Sequence, residues 1–129
     1  MSIIRVTTIQ NVAGSKSVPT DTVVDGSAKA WVSFNGSGTV AIRSSFNVSS
    51  ITDNSTGDYT VTFTNAMTNS DYLALVTTST APSGTGTSMY TMIADDLTAR
   101  TASAVRILSL ISNGSSYFDC SQLGVAIFR

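Results

Sequence analysis

Hydrophobic and polar side chains alternate along most of this chain. In Tyr59–Thr64, the apolar residues Tyr59, Val61 and Phe63 are separated by threonines. A period of two residues is typical of a β-strand with one face in a core and the other in water. The same alternation predicts strands at Ile3–Ile9, Lys29–Asn35, Thr39–Phe46 (continuing or bulging through Val48–Ile51), Tyr59–Thr64, Asp71–Thr80, Met89–Ala94, Val105–Ile111 and Leu123–Phe128.

Turn-forming residues separate these predicted strands. Asn35–Gly38 is expected to form a tight hairpin turn, because an Asn-Gly pair accepts the positive φ angles that such turns require. Asp53–Asp58 is expected to form a second turn. Gly14–Ser27, which contains Pro19, is expected to be an irregular connection.

The number and spacing of the strands predict the fold class. About eight short strands at even spacing indicate a single all-β domain over residues 1–129, an antiparallel β-sandwich that is jelly-roll-like. Residues 1–16 are expected to form an N-terminal arm or the first strand. Phe46 is expected to point inward beside a core face that comprises Val32, Phe34, Val40, Ile42, Tyr59, Val61, Phe63, Ile107 and Val125.

One predicted strand, Val105–Ile111, is apolar on both faces. Val105, Ile107 and Ile111 lie on one side, with Leu108 and Leu110 on the other. A strand half exposed to water should alternate more cleanly, so this pattern indicates either a central strand or a subunit interface. The interpretation adopted is a homotrimer, with a candidate subunit interface formed by Trp31, Leu108, Leu110 and Phe128.

Composition supports the β prediction and excludes one class of partner. Ser and Thr number 40, with 12 Val and 9 Ile, and no Glu occurs. Only 12% of residues are charged and the net charge is −1. Nucleic-acid binding by electrostatics needs clustered Lys and Arg, so no nucleic-acid partner is expected. No apolar run is long enough for a membrane helix and no secretory signal is visible, so no membrane partner is expected.

Residues able to perform chemistry are few. His is absent, which removes the Ser-His-Asp triad and most transition-metal sites. The single cysteine, Cys120, is expected to be a buried small hydrophobe. Asp53–Asp58 resembles a calcium loop only in its oxygen-bearing side chains, and a plain turn is the preferred interpretation. No catalytic residue, metal ligand or cofactor is therefore predicted. The enzyme alternative is a glycan depolymerase that uses Asp95 or Asp119.

The segment Trp31–Phe63, "WVSFNGSGTVAIRSSFNVSSITDNSTGDYTVTF", resembles a block found in virion proteins of tailed bacteriophages. Those proteins, which include marine and cyanobacterial ones, are often tail-fibre or receptor-binding proteins. The preceding segment Ser17–Trp31 and the last predicted strand, "GVAIFR", fit the same pattern. The resemblance implies a non-enzymatic structural protein of the virion, assembled in the host cytoplasm: a trimeric tail-fibre module that presents loops for host-surface attachment. The alternative is a capsid decoration (cement) protein that stabilises the shell.

The implied partners are further copies of the chain, other virion proteins of the tail or capsid, and a host surface glycan or protein. Loops between strands carry contacts while the strands hold them rigid. The recognition sites are therefore expected in Thr80–Ser88, the longest loop of small residues, and in Asp95–Ser103, a polar loop or one short helical turn. The candidate recognition residues are Ser83, Thr85, Tyr90, Asp95 and Asp96.

Overall fold

Two four-stranded antiparallel sheets pack face to face in the computed structural model, which describes residues 2–79, 89–94, 99–111 and 116–129. A short β-hairpin and one helix precede them in the chain. The elements in chain order are β1 Thr8–Gln10, β2 Ser17–Pro19, α1 Thr20–Gly26, β3 Ala28–Asn35, β4 Ala41–Phe46, β5 Val48–Ser55, β6 Asp58–Phe63, β7 Leu73–Thr78, β8 Met89–Ile93, β9 Ala104–Ile111 and β10 Leu123–Phe128.

The strand order confirms an all-β antiparallel sandwich. Sheet 1 has the order β4-β3-β10-β7, and sheet 2 has the order β5-β6-β9-β8. A jelly-roll winding is not confirmed, because three pairs of consecutive strands (β3–β4, β5–β6 and β8–β9) lie side by side within one sheet.

The core lies between the two sheets and is formed by alternate residues of their central strands. The ring of Phe34 on sheet 1 meets the ring of Tyr59 on sheet 2 edge to face, with centroids 5.4 Å apart. The predicted alternation is confirmed for β3, β6, β9 and β10, and Val40 is partly buried against the core. Cys120 is also buried there, as predicted. The inward positions that the structure confirms as buried are Val32, Phe34, Tyr59, Val61, Phe63, Ile107 and Val125.

The inward assignment of Phe46 is wrong, and Ile42 points inward without being buried in the core. Phe34 pairs with Ile42, whereas Ser33 pairs with Ser44, so β4 carries Arg43 as one extra residue at this point. Such a bulge reverses the alternation of the strand beyond it. Phe46 therefore lies on the outer face of sheet 1, opposite Trp31. Ile42 shares the side of Phe34, but it remains 38% exposed because β4 is an edge strand.

The N-terminal region also departs from the prediction. The expected strand Ile3–Ile9 is reduced to β1, which pairs only with β2. The expected irregular connection contains α1, a seven-residue helix that starts directly after Pro19 and has Asp21 in its first turn. Proline tolerates a helix start, and an acidic residue there is favourable. Within the described residues, no helix is both long and apolar enough to cross a membrane.

A buried polar contact fixes the turn between β5 and β6. Asp119 Oδ1 accepts a hydrogen bond from Gly57 N at 2.6 Å and lies 2.8 Å from the Tyr59 hydroxyl oxygen. That hydroxyl is also 2.9 Å from the carbonyl oxygen of Gly36, so its proton is held between two acceptors. Burial, followed by the Asp119 contact, raises the pKa of Tyr59. The contact joins sheet 2 to the segment that precedes β10.

Candidate interaction surface

An apolar row crosses the outer face of sheet 1. Phe46 on β4 lies opposite Trp31 on β3, Trp31 lies opposite Ala126 on β10, and Ala126 lies opposite Leu75 on β7. Phe128 and Leu73 form a neighbouring pair on the same face. We name this set the outer stripe; its members are Leu73, Leu75, Ala126, Phe128, Trp31 and Phe46.

Large side chains of the outer stripe face solvent in this chain. The exposed fractions are 39% for Trp31, 54% for Phe46, 59% for Leu73 and 50% for Leu75. With roughly 200 Å² for a side chain of this size, these four expose about 400 Å² of apolar surface. A contiguous patch of that size is comparable to the largest one on a typical monomer and often marks an interaction site.

A polar row borders the outer stripe and limits its extent. Ser44, Ser33, Gly124 and Thr77 lie opposite one another in the same order of strands. The face therefore changes from apolar to small and polar within two residues along each strand. This boundary is consistent with an apolar contact that has a polar rim.

A second apolar surface belongs to residues 2–27, which we name the N-terminal arm. No side chain within this range is buried, although it contains two structured parts, the β1–β2 hairpin and α1. Thr20 fixes the base of the arm, since its backbone N donates to Thr7 O at 3.0 Å and its hydroxyl donates to Val6 O at 3.0 Å. Its exposed large apolar residues are Ile3, Ile4, Val6, Ile9, Val12, Val23 and Val24.

The four residues predicted as a subunit interface do not share one face. Trp31 and Phe128 belong to the outer stripe. Leu108 and Leu110 lie on the outer face of sheet 2, where Leu108 is half-buried. Leu110 is only 8% exposed within its own chain and bridges to Tyr117, so little of its side chain is available for a subunit contact.

The predicted recognition residues fall mostly outside the described residues. Ser83, Thr85, Asp95 and Asp96 lie outside the ranges given above. Tyr90 lies on β8, an edge strand of sheet 2, where it pairs with Leu110 and is partly exposed. It stays a candidate for recognition.

Two carboxylates considered for chemistry are engaged in structural contacts. Asp119 holds the β5–β6 turn as described above. Asp58 forms an ion pair with Arg106, with Nε donating to Oδ1 at 2.9 Å and Nη2 to Oδ2 at 2.5 Å. The hydrogen bonds from Arg106, aided by one from Asn54, hold the pKa of Asp58 below its ordinary value. Among the described residues no group of three or more metal-ligating side chains occurs. The predicted turn at Asp53–Asp58 is confirmed but shorter, because β5 continues to Ser55 and β6 begins at Asp58.

Sequence reasoning found only part of the outer stripe. Leu73 and Leu75 alternate with Tyr72, Ala74 and Val76, so the second apolar side of this strand is visible in the sequence. Phe46 was missed because the bulge at Arg43 reversed its side. The alignment of the row depends on pairing between strands far apart in the chain, which local periodicity does not reveal.

Comparisons with family models, with curated proteins and with solved structures find no match to this chain.

Proposed function

We propose that this chain is a non-enzymatic structural protein of a tailed-phage virion, a tail-fibre or receptor-binding module that works as a homotrimer. The observation that carries the proposal is the pair of apolar surfaces, the outer stripe and the N-terminal arm, on one small sandwich. A protein that assembles with copies of itself and with other virion proteins needs such surfaces. The resemblance of Trp31–Phe63 to phage virion proteins supports the same assignment.

The sandwich is suited to hold loops in fixed positions. Its core strands are paired on both sides, and the Asp119 contact fixes the turn at Gly57 to the segment before β10. Rigid strands that support variable loops are a common arrangement for recognition. In this proposal the loops of the sandwich, together with Tyr90, contact a host surface glycan or protein.

Capsid decoration is the second candidate function, and the N-terminal arm favours it. An exposed apolar segment with an anchored base is suited to attach a small domain to another virion protein. The sandwich would then cover the shell, and the arm would contact the capsid.

Imaging of labelled protein on intact virions tests both candidates. Antibody-labelled electron microscopy of purified virions, with copy number measured by quantitative mass spectrometry, should place few copies at the tail. Many copies spread over the head would establish decoration instead. Absence of the protein from purified virions would overturn both candidates.

A binding assay tests the recognition role. Purified protein should bind host cells and compete with phage adsorption, and Tyr90→Ala should weaken that binding if β8 contributes. Shortening residues 82–88, which the sequence predicts to be a loop, to a tight turn tests the other predicted region. Unchanged binding by both folded variants would place recognition elsewhere, and release of sugars from host envelope would favour the depolymerase alternative.

A further inference from the structure

We propose that the N-terminal arm of one copy lies across the outer stripe of a neighbouring copy. The occupant of the outer stripe is thus residues 2–7 of a second copy of this chain. The inference deepens the proposed function, since it rests on self-assembly, but it does not depend on where in the virion the protein is located.

Both surfaces leave large apolar areas exposed in the single chain. The outer stripe supplies about 400 Å² of apolar surface, by the side-chain areas used above. Ile4 and Val6, which share one side of the extended segment, are 88% and 53% exposed. A stable interface buries about 800 Å² on each partner, so one stripe supplies about half of that area and each copy needs both of its contacts. If each copy contributes its arm to one neighbour and its outer stripe to the other, both surfaces of every copy are buried.

The length of the free segment matches the width of the sheet. Residues 2–7 carry no regular secondary structure, and Thr20 holds the carbonyl oxygens of Val6 and Thr7 at the base of the arm. The four residues ahead of that base reach about 14 Å when extended. Four strands at a spacing of about 4.8 Å span about 14 Å between the outer strand axes. The segment is therefore long enough to cross the row from Leu75 to Phe46.

The chemistry of the segment also fits the stripe. In extended backbone Ile4 and Val6 point to one side, and Ile3 and Arg5 point to the other. The apolar side would contact the stripe while Arg5 stays in water. β-branched residues such as Ile and Val also favour an extended conformation.

The arm starts close to the outer stripe of its own chain but does not cover it. Helix α1 ends at Gly26, two residues before the start of β3, and Ala28 pairs with Phe128 of the outer stripe. Within one chain both the segment and the stripe stay exposed, since Ile4 is 88% and Leu75 is 50% exposed. An arm that contacts a different surface on the next copy makes a head-to-tail interface, which closes into a ring when the rotation permits.

Disulfide trapping between separately labelled copies tests the pairing. Cys120 is buried, so an introduced surface thiol is the reactive one. Ile4→Cys protein is mixed with isotope-labelled Leu75→Cys protein at micromolar concentration, with oxidised glutathione as the oxidant. We expect a mixed disulfide between position 4 of one copy and position 75 of the other, identified by mass spectrometry of the digested product.

A matched control is Thr77→Cys, which lies on the same strand and face but in the polar row. It should give several-fold less mixed disulfide with Ile4→Cys. Efficient Leu75→Cys homodisulfides without the mixed product would mean that two stripes face each other, and would overturn the inference. In the Ile4→Cys/Leu75→Cys double variant, a bond within one chain as the main product would also overturn it. So would the absence of any crosslink.

Assembly provides an independent measurement. Native mass spectrometry should find the wild type at three times 13.4 kDa and should find Ile4→Asp mainly at 13.4 kDa. Val12→Asp, in the hairpin turn of the same arm, should keep the trimer. Equal masses for Ile4→Asp and wild type would contradict the arm contact. A trapped trimer from a protein that is absent from virions would leave this inference standing while the proposed function fails.

Discussion

Individual aromatic residues join the two sheets of the sandwich. The rings of Phe63 and Tyr72 meet edge to face with centroids 5.9 Å apart. The Tyr72 hydroxyl donates to Ala104 O at 2.9 Å, and burial raises the pKa of Tyr72 to about 12. Phe63 therefore combines apolar burial with a specific ring contact at one end of the core.

Truncation of the Phe63 side chain should destabilise the fold. Phe63→Ala leaves a cavity and removes the contact with Tyr72, so it should lower the free energy of unfolding by about 3–5 kcal/mol. Urea denaturation measures this loss. Phe118→Ala is the matched control, since Phe118 is partly exposed, and it should cost much less. A loss below about 1 kcal/mol for Phe63→Ala would contradict its place in the core.

The Asp58–Arg106 pair should make stability depend on acid pH. The folded-state pKa of Asp58 lies below its ordinary value of 3.8. The contribution of Asp58 is thus present above that value and is lost as the pH falls through the lower folded-state value. Denaturation curves between about pH 6 and pH 2 should give a shallower fall for Asp58→Asn than for wild type. Asp71→Asn, at an exposed position, should keep the wild-type slope; equal slopes for all three proteins would contradict the assignment.

At the scale of elements, the backbone departs from regular strands at a few positions with identifiable causes. The bulge at Arg43 moves the side chains that follow it in β4 to the opposite face of the sheet. The turn between β5 and β6 requires Gly57, which has φ +65°. A Cβ at Gly57 would meet Ser109 O at 2.5 Å and Phe118 N at 2.6 Å. The turn thus has both a conformational and a steric requirement for glycine.

Substitution of Gly57 should separate these two requirements. Gly38 also has a positive φ, +68°, but a Cβ there meets nothing within 4 Å. Gly38→Ala should therefore lower the free energy of unfolding by about 1–2 kcal/mol, because only the left-handed conformation opposes it. Gly57→Ala should lower the free energy of unfolding, measured by chemical denaturation, clearly more than Gly38→Ala does, because backbone atoms of Ser109 and Phe118 must also move. Equal losses would show that the close approach at Gly57 is not a real constraint.

Most strands were predictable from alternation, and the exceptions have physical reasons. β6 and β10 keep a strict period of two because they are central and fully paired. The prediction for β4 failed because a single extra residue moves every side chain after it to the other face of the sheet. α1 was missed because its valines are exposed and a seven-residue helix has too few turns to give a helical period. The burial of Leu110 was not predictable from alternation, because only the fold brings Tyr117 beside it.

At the scale of the whole molecule, the N-terminal arm lies outside the buried core. The core draws on β3, β6, β9 and β10, while the N-terminal arm contributes no buried side chain. The outer stripe was not predictable as a unit, because its row joins β4, β3, β10 and β7 across most of the chain length.

Deletion of residues 2–16 should therefore leave the sandwich intact. At concentrations low enough for the monomer, the free energy of unfolding should change by less than about 0.5 kcal/mol, as for surface changes away from the core. The proposed trimer should be absent from the deletion variant at each concentration where native mass spectrometry finds it for the wild type. A large loss of monomer stability, measured by dilute thermal or urea unfolding, would show that the arm is part of the folding unit.

The Asn35–Gly36 turn has a consequence for the chemical ageing of the protein. Asn-Gly sequences deamidate when the glycine nitrogen attacks the asparagine side-chain carbonyl, expels ammonia and forms a succinimide. Here Gly36 N donates to Cys120 O at 2.9 Å, and the Asn35 amide donates to Ser37 O at 2.7 Å. Both reacting groups are restrained while the fold is intact. Isoaspartate at position 35, measured by peptide mapping of stored protein, should accumulate slowly in the native state and faster in urea, so that it records how long this turn has spent open.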